Sequence, residues 1–215
     1  MSLETLVLLR HGQTDWNLEF RMQGHTDIPL NATGRFQAAA AAPSVVALGA
    51  EVIVASDLSR ARETAGYVSD LAKLPVQIDR RLRETNLGEW ESLTRDDLVA
   101  GWPELWEQWR GTAAHTHPPG GESRWEVAQR GAEVVAELDA GEVSTALLVA
   151  HGGLIVGLTG FLLELPDGIW NRLIGVNNCH WVVLHRRQGR WSLHSYNAGL
   201  GGVVIPGNEE EVAGA

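Results

Sequence analysis

Three short apolar runs are cut off abruptly by polar residues: 6–9 ahead of Arg10-His11-Gly12, 52–55 ahead of Ser56-Asp57, and 146–150 ahead of His151-Gly152. An unbroken apolar run of strand length is what a strand buried on both faces requires, so these runs predict parallel strands inside a covered sheet. Helical patterns lie between them, over about 33–48, 59–72 and 123–140. The last is the clearest. Ser123 and Glu126 form a capping-box pair, and Val127, Gly131, Val134 and Leu138 recur at helical spacing. Its other face carries Glu126, Arg130, Glu133 and Glu137, a charged stripe expected to be solvated. Segments 181–184 and 191–196, separated by Arg186-Arg187-Gln188-Gly189-Arg190, predict a β-hairpin at the sheet edge. Strands alternating with helices imply an α/β sandwich with a mainly parallel central sheet.

The length of 215 residues suits one core, so a single domain is expected over 1–205. Segment 89–121, rich in Trp, Pro and His, is the expected excursion from the sheet, a lid or pocket wall, and the Gly-rich acidic tail 206–215 is expected to be disordered. Hydrophobic residues at 44 % and charged residues at 20 % fit a soluble globular chain. No apolar run approaches the roughly 20 residues of a membrane span, and Glu4 stands near the start without a basic flank. A cytoplasmic protein with no membrane partner is the expectation. Cys179 is the only cysteine, which excludes an internal disulfide and a Cys-cluster zinc site. A net charge of −10 disfavours nucleic acid as a partner but leaves room for a small anion in a locally positive pocket.

Ligands of open α/β sheets sit beyond the carboxyl ends of the strands, where this pattern places Arg10, His11, Ser56 and His151. Both histidines precede a glycine, so each imidazole can leave the sheet edge through a tight turn. The stretch Arg10-His11-Gly12-Gln13-Thr14-Asp15-Trp16-Asn17 closely resembles the signature of the histidine phosphatase (phosphoglycerate mutase-like) superfamily. The likeness continues in order through Gln23-Gly24-His25-Thr26-Asp27-Ile28-Pro29-Leu30, through Ser56-Asp57-Leu58-Ser59-Arg60-Ala61-Arg62-Glu63-Thr64-Ala65, through Leu82-Arg83-Glu84 with Leu87-Gly88-Glu89-Trp90-Glu91, and on to His151-Gly152-Gly153. One position departs: Ser92 stands where the family usually has glycine.

The resemblance implies a three-layer α/β/α sandwich of phosphoglycerate mutase-like fold, no cofactor and no metal, and it is compatible with a homodimer. It implies that His11 takes the phosphoryl group, that Arg10, Arg62, Asn17 and Gln23 bind the phosphate, that His151 donates to the same phosphate, and that Glu84 protonates the leaving oxygen. Phosphoryl transfer demands such a set, because catalysis is mostly charge neutralisation and in-line positioning. Two nearby arginines would keep the attacking imidazole neutral. Within the superfamily a phosphoglycerate mutase competes. After its acid Glu, however, a mutase typically continues into Arg-His-Tyr-Gly, whereas Thr85-Asn86-Leu87-Gly88 follows here. That favours the phosphatase branch and a small anionic phosphorylated metabolite as substrate.

Inside that branch, Gly120-Gly121-Glu122-Ser123-Arg124, Ala150-His151-Gly152-Gly153-Leu154-Ile155 and Leu165-Pro166 before Trp170 resemble the group acting on glucosyl-3-phosphoglycerate. The Trp-rich excursion and the helix around Arg124 are the expected walls of the substrate pocket. The alternative outside enzymes is a sensor that binds phosphate without turnover. His115-Thr116-His117 lacks an adjacent carboxylate and is expected to be solvent-exposed or to line the pocket, not to hold a metal. Nine tryptophans could stack on a sugar or base, although side chains of this kind more often pack in a core.

Overall fold

The computed structural model describes residues 2–111 and 114–200, so the tail expected to be disordered lies outside the described residues. Six strands form one sheet in the order β3-β2-β4-β1-β5-β6. β1 (Thr5–Arg10), β4 (Thr145–Ala150), β2 (Val52–Ala55) and β3 (Val76–Ile78) run parallel, while β5 (Trp181–Arg187) and β6 (Arg190–Ala198) form the antiparallel hairpin at one edge. The apolar runs are therefore the central strands. Their side chains alternate between two cores. Leu6, Leu8, Val54 and Leu148 face α6 (Arg124–Asp139) and α7 (Gly152–Leu162), and Val7, Leu9, Ile53 and Leu147 face α2 (Ala32–Val46) and α3 (Ser59–Ala72). Burial on both faces explains why no polar residue interrupts the runs.

Two elements escape the sequence pattern. α7 reads GGLIVGLTGFL and is buried almost all round, so it shows no amphipathic stripe, and its glycines lower helix propensity. β3 has only three residues and lies on the other edge. The helix after Ser123 begins as expected: Ser123 Oγ accepts from the Glu126 amide, and the Glu126 carboxylate accepts from the Ser123 amide.

The excursion after Glu89 contains α4 (Arg95–Gly101) and α5 (Pro103–Gly111), with α1 (Asp15–Leu18) near its base on the β1 loop. Trp90, Trp106 and Trp109 are fully buried against one another and Met22 and Leu87. They form a satellite core, so these indole faces are unavailable to a ligand. Ser92 has φ +73°, the left-handed backbone that glycine adopts without steric cost.

Candidate active site

β1 and β4 are in register, with Arg10 opposite Ala150, so the residues that follow, His11 and His151, emerge side by side at the carboxyl edge. Their ring centroids are 5.1 Å apart. Gly12 follows because the loop meets the start of α2 backbone to backbone; a Cβ there would lie 2.4 Å from the Gly34 carbonyl oxygen. Both histidines are buried.

Hydrogen bonds assign the tautomers. His11 Nδ1 lies 2.7 Å from the Gly12 carbonyl, which can only accept, so Nδ1 carries the proton and the Nε2 lone pair is left for attack. Arg60 Nε donates to His151 Nδ1 at 3.2 Å, so Nε2 carries the proton on that ring. That buried Nε2–H has no partner among the described residues, as expected of a donor reserved for a ligand. Burial, then Arg60, then Arg10 hold His11 well below its ordinary pKa of 6.5, and burial, Arg60 and His11 do the same for His151. Both imidazoles are neutral at pH 7.

The pocket in front of His11 is lined by Arg10, Asn17, Gln23, Arg60 and Glu84, with Gly152 and Gly153 at its floor and Trp16, Phe20, Met22 and Leu87 among its walls. Arg62 is not there. It is exposed on α3, whose inward side is set by Arg60, Ala61, Thr64, Ala65 and Val68, so Arg60 occupies the place expected for it. The Arg60 guanidinium is fully buried. It donates to the carbonyls of Thr26 and Gly24, each at 2.9 Å, and to His151, which leaves two of its five N–H groups. Burial lowers its pKa to about 10, so it stays cationic at neutral pH. The apolar spacing of Ala61, Ala65 and Val68 already carried this phase.

Asn17 and Gln23 are oriented through Thr14, whose backbone N–H donates to Asn17 Oδ1 at 3.0 Å and whose hydroxyl donates to Gln23 Oε1 at 3.1 Å. With each amide oxygen engaged, the NH2 is the group left to donate. Asn178, which the sequence pattern did not single out, donates to the His11 carbonyl at 3.0 Å and steadies the loop. Glu84 lines the same pocket. Its carboxylate accepts from the amides of Thr85 (2.8 Å), Gly153 and Leu154 (3.1 Å each) at the start of α7. A Cβ at position 153 would lie 2.6 Å from Glu84 Oε1, so any larger residue there would displace the carboxylate.

Other expected wall residues lie elsewhere. Arg124 is buried with its guanidinium 4.9 Å from the Trp109 ring, outside the pocket lining. The Trp cluster backs the wall through Met22 and Leu87 without facing the pocket. Trp16 from the β1 loop is the indole that lines it. His115 and His117 are about half exposed beside Asp167 and Glu126, away from the pocket. No group of three or more metal-ligating side chains gathers among the described residues. None of the helices there is long and apolar enough to cross a membrane.

The chain is similar to known proteins over most of its length. Residues 6–199 match the description of the Histidine phosphatase superfamily (branch 1). The chain is 43 % identical over 215 residues to glucosyl-3-phosphoglycerate phosphatase of Mycobacterium tuberculosis, covering 92 % of this chain and 96 % of that one. It is 35 % identical over 191 residues to "Probable phosphoglycerate mutase GpmB" of Escherichia fergusonii, covering 86 % of each. The solved structure of mycobacterial glucosyl-3-phosphoglycerate phosphatase with VO3 superposes with a TM-score of 0.87 at 44 % identity, over 91 % of this chain and 100 % of that one. Its complex with inorganic phosphate gives 0.85 at 42 %, over 91 % and 98 %. With a family match over nearly its whole length and relatives this similar, the chain belongs to branch 1 of the histidine phosphatase superfamily.

Proposed function

We propose that this protein is a phosphatase that hydrolyses a small phosphomonoester, glucosyl-3-phosphoglycerate or a related phosphoglycerate or sugar phosphate, through a phosphohistidine at His11. The observation that carries this reading is the pair of neutral imidazoles of defined tautomer between two guanidinium groups. His11 Nε2 forms the bond to phosphorus as the ester P–O bond breaks. Arg10, Arg60 and the His151 Nε2–H take up the charge on the phosphoryl oxygens, with Asn17 and Gln23 adding neutral donors. Glu84 gives its proton to the leaving oxygen, then takes one from the water that attacks the phosphohistidine, so inorganic phosphate leaves and both groups return to their starting states.

Two features support the substrate class. The pocket lining includes the aromatic side chains of Trp16 and Phe20, suited to the apolar faces of a sugar, and the 43 % identical relative bears the name of a phosphatase for glucosyl-3-phosphoglycerate. Cytoplasmic location and a homodimer remain part of the same proposal.

The test is a panel of glucosyl-3-phosphoglycerate, phosphoglycerates, sugar phosphates and nucleotides assayed with chelator, using His11→Ala as blank. Rapid acid-free quenching of labelled ester should trap an acid-labile phosphoryl group on the unaltered protein and none on the variant. Net isomerisation of phosphoglycerate without phosphate release would mark a mutase instead. Binding without turnover anywhere on the panel would mark a sensor.

A further inference from the structure

Arg130 was expected on a solvated stripe of α6, yet it turns inward across segment 81–86. Its Nη1 donates to the carbonyls of Arg81 at 2.6 Å and Arg83 at 2.7 Å, its Nη2 donates to the carbonyl of Glu84 at 2.7 Å, and Nε and Nη2 both reach the Glu122 carboxylate at 3.0 Å. All five guanidinium N–H groups are thereby used. Glu122 grips the same segment from its other end: its carboxylate accepts from the Asn86 amide and its own amide donates to the Asn86 carbonyl, both at 2.8 Å. Gly121 permits this, since a Cβ would lie 2.4 Å from Asn86 O. His25 Nε2 donates to the Glu84 carbonyl at 2.9 Å, so that one carbonyl is held twice.

Three carbonyl dipoles converge on one point, and only a planar, multiply donating cation can hold them there. Burial pushes the Glu122 carboxyl up, but its bonds to Arg130 and the guanidinium charge outweigh this and leave it below its ordinary range, so the pair is ionised. The Glu84 carboxylate hangs from this clamped backbone with its oxygens on the first amides of α7. Its reach toward the pocket is therefore set by the clamp behind it and the helix end in front.

We propose that Arg130, with Glu122 as counter-ion, is a positioning residue that fixes the depth and orientation of Glu84 for proton transfer to the leaving group. This rests on the proton-donor role proposed for Glu84. Loosening the clamp then slows esters whose leaving group needs a proton and spares those whose leaving group departs unaided.

The measurement is kcat/KM on a primary alkyl phosphate that the unaltered protein turns over, divided by kcat/KM on p-nitrophenyl phosphate, for Arg130→Lys, Glu84→Gln and the double variant. A displacement of order 1 Å costs about 100-fold, and acid catalysis contributes about 10²–10⁴-fold, so the ratio should fall about tenfold to 100-fold in Arg130→Lys. It should fall further in Glu84→Gln, and the double variant should match Glu84→Gln, because a misplaced acid adds nothing once the acid is gone. An unchanged ratio in Arg130→Lys, or losses that add fully in the double variant, overturns the positioning role. If Arg130→Lys does not fold, Glu122→Gln takes its place, and an unchanged ratio there is equally fatal. A Glu84→Gln ratio that does not fall removes the proton-donor role and the inference with it. A fall in Glu84→Gln alone removes only the inference.

Discussion

Arg60 and Arg62 sit two positions apart on α3, about 200° around the helix axis, so only one can face the sheet. Ala61, Ala65 and Val68 decide which, because they bury their side chains and carry Arg60 in with them. The outward residue pairs with solvent, where a charge contributes little. Arg60→Met should lower kcat/KM by at least about 100-fold, the scale of losing one charge-stabilising donor, whereas Arg62→Met should stay within about threefold. Steady-state kinetics on any accepted ester decides this, and comparable losses in both variants would return the phosphate to Arg62. His11 and His151 were legible from their neighbours, since each ends a buried strand and precedes glycine. Asn178 was not. Its contact is with a carbonyl 167 positions away, and no local pattern records that.

At the scale of elements, the loop running past Ser92 ties the pocket wall to the Trp-rich excursion. The Ser92 amide donates to the Met22 carbonyl at 2.8 Å, and Arg21 Nη1 donates to the Ser92 carbonyl at 2.9 Å, which fixes Ser92 in the left-handed region. An L residue there costs roughly 1–2 kcal/mol, part of which glycine gives back through its greater freedom in the unfolded chain. Ser92→Gly should therefore stabilise the fold by about 0.5–1 kcal/mol in chemical denaturation, and a loss of stability would show that the serine side chain has another role. The same scale explains the uneven legibility of the helices. α3 and α6 each bury one side and leave another exposed, so periodicity revealed them, whereas α2 was legible as an Ala-rich run with almost no apolar stripe. α7 is enclosed between α6 and the sheet and needs no polar face, which erased the signal.

For the whole molecule, burying two neutral imidazoles beside two guanidinium groups makes stability depend on acidity. His11 and His151 are depressed well below the ordinary 6.5 by burial and by Arg60 and Arg10, with Arg130 acting on His151 as well. As pH falls through the unfolded value, the unfolded chain takes up these protons and the folded chain does not, so stability drops on acidification. Above that value neither state is charged, and this contribution to the slope vanishes. Each histidine can contribute up to about 1.4 kcal/mol per pH unit below its unfolded pKa. Unfolding midpoints followed from about pH 6.5 to 5 should fall more steeply for the unaltered protein than for His11→Asn/His151→Gln; parallel curves would show that these imidazoles accept protons in place. The sequence by itself determined the central strands, the helices with one apolar side, the edge hairpin, and the two histidines and Arg10 at the carboxyl edge, because those depend on local period and on where buried runs end. Tertiary structure alone decided that Arg130 clamps the Glu84 segment, that Asn178 reaches the His11 carbonyl, and that the tryptophans behind the wall pack on one another. Those outcomes depend on which surfaces meet, and a charged residue on a helix reads the same in sequence whether water or three carbonyls receive it.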